Sequence, residues 1–204
     1  MCWSFEISLI TAIFSYTIAL YLWFRNFQND KWNAALLFVV SSIQFWEALI
    51  WSKNGNPSNL VAFAIIVGIP LTLASEPLIS LFGSELVGIK PDFADKIIYI
   101  AFFIILFILL VSSNSYPNVI RNGSIQYHKN DSSPICYWIF FAFLVYPFLK
   151  YGEPKKFYII MSLFVGFLLF ISFFKPSVGS YWCLYGNLIA IILLFYPYIV
   201  KAIT

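Results

Sequence analysis

Apolar residues run through this chain in long blocks, and polar residues gather between the blocks rather than alternating within them. Seven blocks stand out: Ser4–Phe24, Asn33–Trp51, Leu60–Gly83, Ile97–Val111, Ile135–Leu149, Phe157–Phe174 and Tyr181–Val200. A helix needs about 20 mostly apolar residues to cross a bilayer. The pattern therefore predicts an all-α bundle of seven transmembrane helices, forming one domain over all 204 residues. The fourth and fifth blocks are short as bare runs and reach spanning length by taking in flanking polar residues. Merging or demoting one of them leaves six. Most connections are short, so helices adjacent in sequence should be adjacent in space. The longest loop, Ser112–Pro134, is rich in Ser, Asn and Pro and reads as irregular, and Ser84–Lys96 is the other substantial loop.

Composition agrees with lipid as the solvent. Only 10% of residues are charged and 61% are hydrophobic, where a water-soluble domain carries roughly 25% charged residues. Phe fills the blocks, while Trp and Tyr cluster near their ends, as at a membrane–water interface. The net charge of +3 is spread over loops with no polybasic run, which argues against a nucleic-acid partner. The first block begins almost at Met1 and is long enough to span, so it reads as a helix that inserts and stays.

Lys and Arg set the expected orientation. One side would hold Arg25, Lys31, Lys90, Lys96, Lys150, Lys155, Lys156 and Lys201, the other Lys53, Arg121, Lys129 and Lys175. That eight-to-four split predicts an outside N-terminus and a cytoplasmic C-terminus. The sequons at Asn122 and Asn130 fall in a loop expected outside.

Polar residues inside the blocks carry the functional argument. A carboxylate within a span is costly and usually faces protein or water. Glu76 lies in the third block between Pro70 and Pro77, with Thr72 and Ser75 within about one turn. Each proline frees a helix carbonyl, that of Ile66 or Leu73. Freed carbonyls beside a carboxylate and hydroxyls suit a cation or a proton. The competing reading is a kinked helix anchored to a neighbour. In the second block Ser41, Gln44 and Glu47 share a face and form a stripe that should look into the bundle. It serves either as a pathway lining or as glue between helices. Asn187 should face inward by the same reasoning. Glu6, in the first turn of the first helix, reads as an N-terminal helix charge.

The leading expectation is thus a channel or transporter for protons, a small ion or a small solute, along a path past Glu47 and Glu76 lined by Gln44, Thr72, Ser75 and Asn187. A ligand-binding or sensory protein is the alternative, with a pocket near the outer side and Trp3, Trp46, Trp51 and Trp182 as walls. A structural membrane protein, for instance of a viral envelope, is a third reading. A second copy of the chain is a further candidate partner.

Cys2, Cys136 and Cys183 all fall at outer helix ends, so a Cys2–Cys183 or Cys136–Cys183 disulfide is a candidate. No CxxC or HxxxH spacing supports a metal site, and the single histidine, His128, lies in the long loop. An enzyme is not expected, nor is a cofactor. Retinal proteins resemble the chain in topology, but they need a Lys in the middle of the seventh span, and Tyr181–Val200 has none. Sugar transporters of the PQ-loop type are similar in length, but no Pro-Gln dipeptide occurs here. Two segments echo each other, Leu144-Val-Tyr-Pro-Phe-Leu-Lys150 and Leu194-Phe-Tyr-Pro-Tyr-Ile-Val-Lys201, each with Tyr-Pro about a turn before Lys. A proline bending the last turn and a snorkelling Lys account for both.

The opening Met1-Cys2-Trp3-Ser4-Phe5-Glu6, the Tyr21–Trp32 stretch, Gln44-Phe-Trp-Glu47 and Gly179-Ser-Tyr-Trp-Cys183 resemble an uncharacterised family of small polytopic membrane proteins. Its members begin Met-Cys-Trp-Ser and occur in bacteria and large DNA viruses. The resemblance implies no established activity. It makes Cys2, Glu47 and Cys183 the first residues to test.

Overall fold

A computed structural model describes residues 4–203 apart from 55, 57, 114–119, 122–123, 126–133 and 174–177. The architecture is helical: α1 Phe5–Arg25, α2 Asp30–Trp51, α3 Asn59–Phe63, α4 Ile69–Phe82, α5 Phe93–Ser113, α6 Pro134–Tyr151, α7 Lys155–Phe173, α8 Val178–Leu194 and α9 Tyr196–Ile203. A two-rung antiparallel pairing, β1 Ile120–Arg121 with β2 Ser124–Ile125, sits in the long α5–α6 connection. Phe5–Arg25, Asp30–Trp51, Asn59–Val87 and Phe93–Ser112 are each long and apolar enough to cross a membrane, and the bent pair of α8 and α9 adds a fifth if it counts as one span, so among the described residues four or five such helices stand where the sequence pattern predicts seven. α6 is apolar but shorter. α5 presents an apolar outer face, where Ile97, Ile104, Ile105, Ile108 and Leu109 are all exposed.

The third block is one helical stretch with two irregular turns. A π turn over Ala64–Gly68 joins α3 to α4, with the Ile69 amide donating to the Ala64 carbonyl. Pro70 follows at the start of α4 and has no amide to donate, so the wider turn absorbs the missing bond. A 3-10 turn over Gly83–Val87 ends the stretch at Gly88, whose φ of 83° is the left-handed cap that glycine adopts freely.

Two tryptophans fix how α2 lies on this stretch. A Cβ on Gly68 would meet the Trp46 indole at 2.6 Å, and one on Gly83 would meet Trp32 at 2.6 Å. Trp46 Nε1 donates to Thr72 Oγ1 at 3.0 Å, and Trp32 Nε1 donates to the Ser80 carbonyl at 2.8 Å. Each indole therefore rests on a glycine and is pinned by a bond a few residues away. Without glycine at these points the helices would stand further apart.

One end of the bundle is ion-paired and tightly cross-linked. Arg25 Nε and Nη2 grip the Asp30 carboxylate at 2.6 and 2.8 Å, and Asp30 also accepts from the Phe27 amide. Asn29 donates to the Glu153 carbonyl at 2.6 Å. Lys150 bridges Asp92 and Asp95 at 2.8 Å each, and Lys96 pairs with Glu85. The Lys150 ammonium holds the exposed Asp92 carboxyl below its usual range. The α1–α2, α6–α7 and α8–α9 connections meet at this end, so helices alternate in direction.

Three sequence expectations change. The block Tyr181–Val200 is not one straight helix: α8 stops at Leu194 and α9 turns away by 64°. Pro197 removes a donor from the Leu193 carbonyl, and Arg25 Nη2 takes that carbonyl at 3.0 Å while Nη1 takes that of Leu194 at 2.7 Å. Lys150 does not simply snorkel; it is held by two aspartates. The loop expected over Ser84–Lys96 shrinks because the 3-10 turn and α5 take up both its ends.

The Tyr-Pro echo has a shared physical meaning. Pro147 frees the Phe143 carbonyl, which accepts from Tyr99 Oη at 2.7 Å and from Ser80 Oγ at 3.4 Å. In both segments a side chain from another helix uses the carbonyl that proline releases, so the group is not left without a donor.

Candidate functional site

α2 carries a buried polar stripe. Asn33, Ser41, Gln44 and Glu47 are all buried, Glu47 at 1% exposure. They share a side because their spacings of eight, three and three residues keep near whole turns. The stripe faces α1 and α8 as well as α4. A Cβ on Gly186 of α8 would come within 3.4 Å of Gln44 Nε2. Ser15 Oγ of α1 donates to Asn187 Oδ1 of α8 at 2.9 Å, and Tyr16 Oη donates to Ser42 Oγ at 3.0 Å. The α1–α2 register set by Arg25–Asp30 and Tyr16–Ser42 brings Ser8 to the last turn of α2, between the levels of Glu47 and Ile50. Ser8 Oγ and Ser41 Oγ are buried with no hydrogen-bond partner among the described residues. Gln44, Ser15 and Asn187 thus lie where α1, α2 and α8 meet, and buried Glu47 follows Gln44 by about one turn of α2.

Glu76 is fully buried, but at another depth. With Trp32 on Gly83 and Trp46 on Gly68, Glu76 comes level with Val39 of α2. That is eight residues from Glu47, roughly 12 Å along the axis. The groups expected beside Glu76 divide between faces. Thr72 is buried, donates to the Gly68 carbonyl at 2.8 Å and accepts from Trp46, so its hydroxyl is occupied in helix packing. Ser75 lies on a half-buried face and donates to the Leu71 carbonyl at 2.7 Å. α-Helical geometry separates the two, since residues three apart on this helix straddle the edge of its buried face.

A cavity of about 100 Å³ lies elsewhere, between α2, α6, α7 and α8. Leu37, Val40, Leu144, Phe148, Phe157, Val165 and Leu193 give it an apolar wall. It reaches neither Glu47 nor Glu76. Its polar feature is at the ion-paired end, where Asn33 lines it together with Tyr158. Tyr158 Oη donates to Asn33 Oδ1 at 3.3 Å, and Asn33 Nδ2 is buried with no partner among the described residues. Tyr185, also in the wall, donates its hydroxyl to the Leu168 carbonyl at 2.9 Å.

This cavity was not foreseen in the sequence, where the expected pocket lay near the outer side among tryptophans. Trp46 is instead committed to Gly68 and Thr72, and Trp51 packs against the apolar cluster of Ile50, Val61 and Ile65. Trp3 and the Trp182 side chain lie outside the described residues, as do Cys2, the Cys183 side chain, His128 and both sequons. Cys136 is an exposed free thiol. Glu6 is exposed in the first turn of α1, which Ser4 caps by accepting from the Ile7 amide at 3.3 Å. Among the described residues no three metal-capable side chains come together.

Compared with family models, with curated proteins and with solved structures, the chain matches none. Its own residues must carry any functional reading.

Proposed function

We propose that the protein is a multi-pass integral membrane protein that binds a small, mostly apolar molecule between α2, α6, α7 and α8. The observation that carries this is the cavity itself: apolar-walled, set between four helices, with Asn33 and Tyr158 among the residues that line it. Such pockets, apolar with a few placed polar groups, are the usual form of small-molecule sites. Seven spans, with the ion-paired end in the cytoplasm, fit the alternating helices and the Lys and Arg bias. Native mass spectrometry of protein drawn from membranes into nanodiscs tests the binding. The wild type should carry an apolar adduct, and Val40→Phe and Val165→Phe, each filling the cavity from a different helix, should lose it. An adduct that persists in both folded variants refutes the reading.

A conducting route for protons, a small ion or a small solute past Glu47 and Glu76 is the second reading. The burial of both carboxyls, with Gln44 and Ser41 of α2 at levels between them, favours it. Glu47→Gln and Glu76→Gln should each lower flux in liposomes while folded yield is kept. Unchanged flux in both removes the route.

A further inference from the structure

Resting on the cavity reading, we infer that its ligand is a hydrocarbon chain ending in an uncharged carbonyl, such as an acyl ester, whose oxygen accepts from Asn33 Nδ2. The Asn33 amide is oriented by Tyr158, since the phenol donates to Oδ1 and leaves Nδ2 as the donor. That nitrogen is buried with no hydrogen-bond partner among the described residues, and Asn33 is one of the residues that line the cavity. A buried donor without an acceptor is unfavourable, so a ligand that supplies one is selected over an equal hydrocarbon. Among the described residues the wall offers no cation. The nearby Arg25 is engaged by Asp30, and Lys150 by Asp92 and Asp95. A carboxylate would therefore be desolvated without a counterion, which disfavours the charged head. A cationic head would meet a donor where it needs an acceptor. Asn33 lies seven residues before Val40 on α2, so the apolar wall runs roughly 10 Å from the carbonyl position toward the middle of the bundle.

The test uses the full chain in nanodiscs and three alkyl-diazirine probes of equal length, ending in a methyl ester, a carboxylate or a methyl group. Photolabelling is mapped to the peptides carrying Val40 and Val165. The ester should label the wild type about tenfold more than the hydrocarbon, with the carboxylate weaker than the ester. Asn33→Leu should erase the ester preference and keep hydrocarbon labelling. Tyr158→Phe, which keeps the ring but frees the amide to turn, should reduce the preference. Val40→Phe should remove all labelling. Equal ester and hydrocarbon labelling in the wild type, or an ester preference that survives in Asn33→Leu, overturns the carbonyl assignment while leaving the cavity standing. Labelling untouched by Val40→Phe overturns the cavity reading itself.

Discussion

Breaking the Arg25–Asp30 pair should loosen the ion-paired end and release the bend between α8 and α9. Asp30 is fully buried, and Arg25 keeps 15% exposure. Removing one partner of a buried pair costs about 3–5 kcal/mol, because the other charge is left without compensation. Residual exposure of Arg25 places Asp30→Asn near the lower limit, about 3 kcal/mol. For a chain of this size each kcal/mol moves the midpoint by about 2–4 °C, so the melting temperature should fall by roughly 6–12 °C. Arg25→Met should be worse. It strands the buried Asp30 charge and also opens the Leu193 and Leu194 carbonyls, each worth about 1–3 kcal/mol when unsatisfied. The double variant Arg25→Met/Asp30→Asn should fall short of the sum of the singles, with a coupling between 0.5 and roughly 3 kcal/mol. Thermal melting in mild detergent, followed by the folded peak on size exclusion, gives these values. A loss below 3 °C for Asp30→Asn, or strict additivity of the two changes at about the error of the assay, refutes the view of Arg25 as a clamp.

Gly68→Ala should destabilise by about 1–3 kcal/mol through overpacking, because the new Cβ would sit 2.6 Å from the Trp46 ring. The same change in a Trp46→Leu background should cost clearly less, and an equal cost in both backgrounds shows that the indole is not the obstacle. Ser15→Ala should lower stability only slightly, by about 0.6 kcal/mol, in line with hydrogen bonds between membrane helices; a much larger loss would give the Ser15–Asn187 bond a role beyond packing. The Asp92 carboxyl is held below its ordinary value near 3.8 by Lys150. Its stabilising effect is therefore complete above that value and lost as pH falls through the lowered one. The melting difference between wild type and Asp92→Asn should be small, equal at neutral and mildly acidic pH, reduced by salt, and closed in strong acid. A difference that opens in acid contradicts the pairing.

Much of the helical layout is legible in the sequence because lipid imposes long apolar runs. α1 and α2 match their blocks within a few residues, and the third block is a single stretch despite two prolines. The break after Leu194 was not visible, although Pro197 was. A proline near the end of an apolar run reads equally as a frayed last turn or as a 64° corner, and what decides is Arg25, far away in sequence. The inward face of α2 could be read from Ser41, Gln44 and Glu47, whereas the cavity could not. Asn33 sits at the start of its block, where a polar residue passes for an interfacial one. Its partner Tyr158 lies 125 residues on. The i, i+4 placing of Tyr158 and Ser162 at the start of the sixth block was the available signal, and it is weak in a chain with 13 tyrosines.

The two buried acids now separate in meaning. Glu47 stands just below the level of Ser8, and below it on α2 come Gln44 and Ser41, with Ser15 and Asn187 alongside on α1 and α8. This ladder descends on the α1–α2–α8 side and ends at Ser41, about two residues from the level of Glu76. Glu76 belongs to α4, which packs on α2 through Trp32 and Trp46. Between the levels of the two acids, the buried polar side chains of α2 are Gln44 and Ser41, so a proton route between them would run along these residues. A conducting protein would need water or a mobile side chain along that route. An anchoring protein needs nothing there, because each acid would satisfy only its own level of the bundle. The cavity adds a reason to separate binding from conduction: it lies between α2, α6, α7 and α8 and is lined by neither carboxyl, meeting the polar ladder only through Gly186 beside Gln44.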